Sequence, residues 1–262
     1  MISSETVRAV AGAALAERDL DRKVAMVASL ELGNTGVIAR PPSVMNVSHP
    51  GRPDRPKLVS FRQLPRRGFH TPALRAAVLH SVVHIEANAI NLALDAVHRF
   101  DELPWEYYRD WCDVAREEAR HFVMLRSRLR DLDYEYGDFD AHDGLWSMAQ
   151  STATDLTARM ALVPRFLEAR GIDVAPSMIE RFAHHGDGET AALLQVILED
   201  EIGHVAIGSR WFQFACDQQG LCATEVFHAL LKRHRLSLNP PINVDARLLA
   251  GFDLSEMTLG AE

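Results

Sequence analysis

Two glutamate–histidine pairs at one spacing are the residues in this chain whose types could do chemistry together. Glu201 and His204, in Leu198-Glu-Asp-Glu-Ile-Gly-His-Val205, stand at i and i+3. On a helix they lie one above the other on a single face. That face continues through Leu194, Ile197, Val205, Gly208, Trp211 and Phe212, which reads as a core stripe. A carboxylate and an imidazole on such a stripe are costly to bury unless something pairs with them. The partner that suits Glu-x-x-His best is a metal ion. One motif of this kind arises easily by chance, but the chain carries it twice. Glu118 and His121 repeat the spacing on the stripe Tyr108, Trp111, Val114, Ala115, Phe122, Leu125 and Leu129.

Helical bundles complete such a site with one further glutamate from each of two other helices, so that two metals are held between four helices. Glu86 fits the first place. It interrupts the stripe Leu79, Val82, Val83, Ala89, Ile90, Ala93, Val97 and lies 32 residues ahead of Glu118. Glu168 fits the second, on the stripe Met160, Ala161, Pro164, Ile172, Ala175, Ile179, Phe182, and lies 33 residues ahead of Glu201. Turn residues fall halfway along each interval, at Asp101-Glu-Leu-Pro104 and His184-His-Gly-Asp-Gly188. The pattern describes two helical hairpins with their ligands at mid-helix. Asp155 is a rival to Glu168, but it lies 46 residues ahead of Glu201 and breaks that symmetry. Without cations, four inward carboxylates and two imidazoles would repel strongly. Oxygen-rich ligation with two histidines suits iron, or manganese, better than zinc or copper.

At these residues the chain resembles the ferritin-like di-iron carboxylate superfamily. The wording His84-Ile-Glu-Ala87, Glu117-Glu-Ala-Arg-His121, Leu167-Glu-Ala-Arg-Gly171 and Asp200-Glu-Ile-Gly-His204 is most similar to a bacterial branch labelled a domain of unknown function. Its Glu-Ala-Arg element also resembles the third helix of the tRNA-hydroxylase branch. The resemblance spans about residues 50–250. It implies an all-α, ferritin-like four-helix bundle with a long crossover between helices 2 and 3, and two iron ions on Glu86, Glu118, His121, Glu168, Glu201 and His204. It further implies an oxidoreductase that uses dioxygen or peroxide with an external electron donor, such as a monooxygenase or hydroxylase of a small or nucleotide-like substrate. Pro164, Gly171 and Pro176 disturb the helix around Glu168, and that backbone freedom makes it the catalytic candidate among the six. A ferroxidase or iron-storage protein, and a scaffold stabilised by metal, are the alternatives.

The bulk numbers narrow the classes. A hydrophobic fraction of 47% in 262 residues supports a sizeable core. A net charge of −8 gives no support to general nucleic-acid binding. Cys112, Cys216 and Cys222 are too few for a disulfide framework and read as reduced packing residues. Neither a signal peptide nor a membrane span is visible, so a cytoplasmic protein is expected, with a homodimer left open.

The elements that must position the six residues follow in order. A first helix is expected from Ser3 or Ser4 to about Leu32, ending at Gly33-Asn-Thr-Gly36. A proline-rich strap follows, carrying Arg52, Arg55, Lys57, Arg62, Arg66 and Arg67 against Asp54. It reads either as a cover on the bundle or as an anion-binding lip, with Arg66 and Arg67 as substrate-binding candidates. Thr71-Pro72 reads as N-cap and first position of a helix to about Phe100, and Pro104 opens the next, to about Leu132. Residues 133–143 carry the chain back. Helix three is expected from near Gly144 to the turn at 186–188, and Pro164 inside it predicts a kink or π-bulge beside Glu168. Helix four is expected over 188–218 and a short amphipathic helix over 224–234, followed by an extended Pro240-Pro241 strap and a basic-apolar piece at 245–250. The domain thus divides into residues 1–70, the bundle at 71–218, and 219–262. His80, His84, His98, His184 and His185 read as structural, and Tyr107, Tyr108, Trp111 and Trp211 as core.

Overall fold

A computed structural model of the protein describes residues 7–30, 48–64 and 68–257. Arg66 and Arg67 lie outside the described residues, as does the expected helix end at Gly33–Gly36. The described chain is helical, with one isolated bridge between Leu58 and Ala141. It divides into two compact units, Met1–Trp146 and Ser147–Glu262.

The first unit is built on a hairpin of two long helices, α3 (Pro72–Arg99) and α4 (Trp105–Asp131). Thr71 caps α3 as its sequence predicts, its hydroxyl accepting from Leu74 N at 3.3 Å. By length and composition α3 could cross a membrane, but 89% of its most apolar window is buried inside the structure. Two shorter helices, α1 (Val7–Ala16) and α2 (Leu20–Ala28), stand where one helix was expected. The reason is Asp19, whose carboxylate accepts from Asp21 N and Arg22 N and starts a new helix. α1 packs on α3 and α2 on α4. The loop after α4 returns through Tyr136, which stacks on His80 with ring centroids 5.3 Å apart.

Lys23 on α2 is fully buried. Its ammonium donates to Gly51 O at 2.9 Å and to Asn91 Oδ1. Burial, reinforced by the charge of Arg52, pulls its pKa down to about 7. The unfolded chain therefore holds this proton up to about pH 10.5, while the folded chain releases it near 7. The resulting penalty on the fold is full below pH 7 and fades as pH rises towards 10.5. Wild type should accordingly gain stability between pH 7 and 10, by up to about 1.4 kcal/mol per pH unit, relative to Lys23→Met. Denaturant titrations of both proteins across that range check this, and parallel pH curves would refute it.

The second unit is organised on α7 (Ala169–His184) and α8 (Gly188–Asp217), joined by a turn with Gly186 at φ +81°. The single helix expected from Gly144 is broken instead. α5 (Gly144–Ser151) stops, Asp155 caps α6 (Leu156–Leu162) by accepting from Ala158 N at 2.9 Å, and a π-helical segment (Val163–Glu168) leads into α7. Asp155, the rival ligand, is thus a helix cap. The π segment stands where Pro164 led us to expect a defect. Three short helices, α9 (Ala223–Arg233), α10 (Val244–Leu249) and α11 (Leu254–Met257), complete the unit. Arg170 donates to the carbonyls of Asn239, Pro240 and Pro241, tying the C-terminal strap to α7.

The π segment is held from two sides. Pro164 lies flat on Gly208 of α8, where a Cβ would come within 2.4 Å of the proline Cβ. Arg165 turns inward and is buried. It makes a two-pronged pair with Glu256 of α11 at 3.0 and 2.8 Å and donates to Ser209 Oγ. Its guanidinium lies 4.8, 5.0 and 4.3 Å from the ring centroids of Phe212, Phe227 and Phe252. Alanine is the better helix former by about 1 kcal/mol, but the proline ring cannot yield to a methyl group. Gly208→Ala should therefore destabilise the protein by about 1–3 kcal/mol. A denaturation midpoint at or above wild type would show that the two segments can part.

Candidate metal centre

Within the first unit the hairpin brings Glu86, Glu118 and His121 together. All three are almost fully buried, at 0–3% exposure. His121 Nδ1 lies 3.3 Å from Glu86 Oε2 and 3.7 Å from Glu118 Oε2, and donor atoms of the three residues lie within 4.8 Å of one another. Glu86 reaches this point because α3 presents it between Val82, Val83, Ala89 and Ile90, on the face that meets α4. Glu118 and His121 reach it by their i, i+3 spacing.

Burial disfavours a charged imidazole, but hydrogen bonds and charge from Glu118 and Glu86 outweigh it and push the His121 pKa up to about 11. The ring thus carries a proton between two carboxylates. A metal ion bound there would displace that proton, since a ligand imidazole must be neutral. Two carboxylates and one imidazole in a dry, preformed cluster fit a hard or borderline divalent cation.

In the second unit Glu201 and His204 pair on α8 with His204 Nδ1 3.3 Å from Glu201 Oε1. His204 is buried and Glu201 half-buried. Glu168 is half-buried at the last position of the π segment. Each unit therefore holds one Glu-x-x-His helix packed against a helix that carries a further glutamate.

The neighbouring aromatic and basic groups are structural. Tyr107 and Tyr108 donate to Ala96 O and Phe100 O. Buried Arg159 donates to Thr152 Oγ1 and Ala149 O. His80 Nε2 accepts from Gly137 N, and His98 bonds the carbonyl of Arg8. All three cysteines are free thiols, two of them buried; Cys222 is exposed and so is not the packing residue expected.

Sequence reading missed the polar group around His84. Its Nδ1 lies 2.9 Å from Tyr136 Oη and its Nε2 3.0 Å from His142 O. Burial lowers its pKa to about 4, so the ring is neutral. The arrangement has the ring donating to the His142 carbonyl and accepting from the tyrosine. The one available signal was the acidic, aromatic stretch of residues 133–143, which has no helical period to explain it.

Fold and site together define a class: an all-helical protein with a buried carboxylate–histidine cluster able to hold a metal ion. The chain belongs to the family described as Protein of unknown function (DUF455), whose model matches residues 14–258. It is 46% identical over 213 residues to an "Uncharacterized protein" of Haemophilus influenzae, an alignment covering 78% of this chain and 74% of that relative. No solved structure matches it at a significant level.

Proposed function

We propose that the protein is a di-iron carboxylate oxidoreductase, an oxygen-dependent monooxygenase or hydroxylase of a small or nucleotide-like substrate. In this reading Glu86, Glu118, His121, Glu168, Glu201 and His204 hold two iron ions, with manganese as the other metal that the donors suit. The fold that goes with this reading is a ferritin-like four-helix bundle over residues 71–218, with 1–70 and 219–262 as accessory segments. The convergence of Glu86, Glu118 and His121, at hydrogen-bonding to metal-binding separations in a dry core, is the observation that carries it.

When bound, the metal pair supplies redox chemistry towards dioxygen or peroxide, with electrons from an external donor. The chain's own residues do the rest. Glu86 and Glu118 fix the charge that draws the cations in, and His121 gives up its proton on loading. Buried Tyr107, Tyr108 and Trp111 keep water from the α4 side. Glu168 sits on backbone that departs from α-helical geometry, which gives its carboxylate freedom to change its manner of binding.

Elemental analysis of purified, iron-loaded protein, with spectroscopy of the oxidised site, tests the reading. Two iron ions per chain and a coupled di-ferric signature are expected. Less than one metal per chain, or zinc retained in preference to iron, would refute it. Vigorous oxygen consumption with no organic substrate would move the assignment to a ferroxidase.

A further inference from the structure

A second built cavity lies on α3, turned away from the metal cluster. The loop of residues 51–58 crosses this face and closes a space of about 340 Å³ over His84, Asn88, Asn91 and Tyr136. At about 100° per residue, each lining residue of α3 lies at least about 100° around the helix from Glu86, so the cavity opens on different ground.

Its charge is lopsided. Arg55 and Lys57 line the cavity and are exposed, and among the described residues no acid pairs with either side chain. Arg52, also in the wall, is held by Asp143 at 2.5 Å and contacts Asn88. Asp54 is the acid in the lining, and Arg18 neutralises it at 2.5 Å. Beneath the floor the Lys23 ammonium bonds Gly51 O and Asn91 Oδ1, both groups of cavity-lining residues. Gly51 brings this loop so close to α1 that a Cβ would meet Ala16 O at 2.2 Å, which fixes the wall in place.

Two cations with no acid partner among the described residues, apolar walls from Leu20, Pro53 and Ala87, and polar atoms at Asn88 and Tyr136 describe one kind of ligand. We propose that this cavity binds a small phosphate monoester, with Arg55 and Lys57 on the phosphate and the ester group between the proline wall and α3. A dianion matches two cations, and guanidinium and ammonium are the side chains that take phosphate oxygens. The volume lies at the small end of ordinary ligand sites, enough for a compact monophosphate of the size of AMP. The site does not rest on the metal centre.

Calorimetric titration of the full chain with AMP and with inorganic phosphate tests it, with and without a chelator. AMP should bind with a Kd below about 10 mM, more tightly than inorganic phosphate, equally in both metal states, and more weakly as salt rises from ~50 to ~500 mM. Arg55→Ala with Lys57→Ala should weaken AMP by about tenfold or more, with an unchanged melting temperature because both side chains are exposed. Arg62→Ala, on the same strap but outside the cavity, should stay within about twofold. Absence of AMP binding, or equal losses in the two variants, would overturn the site. Phosphate binding as tightly as AMP would overturn its assignment to an ester.

Discussion

Glu168→Ala should abolish oxygen-dependent turnover while keeping part of the bound iron, whereas Glu86→Ala should lose the iron itself. The contrast comes from backbone. Glu86 sits in the middle of an unbroken 28-residue helix, is 3% exposed, and faces His121 at 3.3 Å. Removing it takes one of the two carboxylates that flank His121 in the buried core. Glu168 ends a π segment and is half-buried, next to helical geometry that is already relaxed. π-helical insertions recur at functional sites because they free backbone and re-aim a side chain. On the proposed function, the open coordination position therefore belongs on the Glu168 side. Iron per chain, together with the rate at which the reduced protein consumes oxygen or peroxide, measures both halves. A wild-type rate in Glu168→Ala would sink the assignment.

Stripping the metal should lower the melting temperature by roughly 10 °C. A ligand present at about a thousand times its dissociation constant adds about 4 kcal/mol, and each kcal/mol moves the midpoint of a chain this size by about 2–4 °C. The effect is bounded because the first unit has its own answer to metal loss. With His121 pushed up to about pKa 11, an imidazolium balances one of the two buried carboxylates. In the second unit the Glu201 side chain keeps 16% of its surface exposed, so water reaches its carboxylate. Chelation should thus loosen the protein without unfolding it. Thermal scans before and after chelation, with metal loss confirmed by elemental analysis, decide the matter. An unchanged curve would count against a buried metal.

The long helices and the three converging residues of the first unit were legible because they rest on local chemistry. Thr71-Pro72 signals a helix start by itself, Gly186 a turn, and Glu118 and His121 share a face by spacing alone. Pro164 announced the π segment, since a missing N–H must disturb any helix. The breaks at Asp19 and Asp155 were harder. Neither has glycine or proline nearby, and in each the decisive event is one carboxylate turning back onto the next helix's amides. Thr152 adds to the second break by bonding Met148 O and Ala149 O. The buried cations Lys23, Arg165 and Arg247 could not be read at all. A charged residue reads as exposed until its partner is known, and Arg165 finds Glu256 91 residues further along the chain.

That last pairing changes how variants of this protein should be interpreted. Glu256 lies in the final short helix, remote in sequence from every proposed ligand, and yet it anchors the arginine three residues ahead of Glu168. A clone shortened to end just before α11 would retain all six candidate ligands and still lose the strut beneath one of them. Its inactivity would be blamed on the wrong part of the molecule. A natural substitution at Glu256 would behave in the same way, as a defect of the site inherited from the tail.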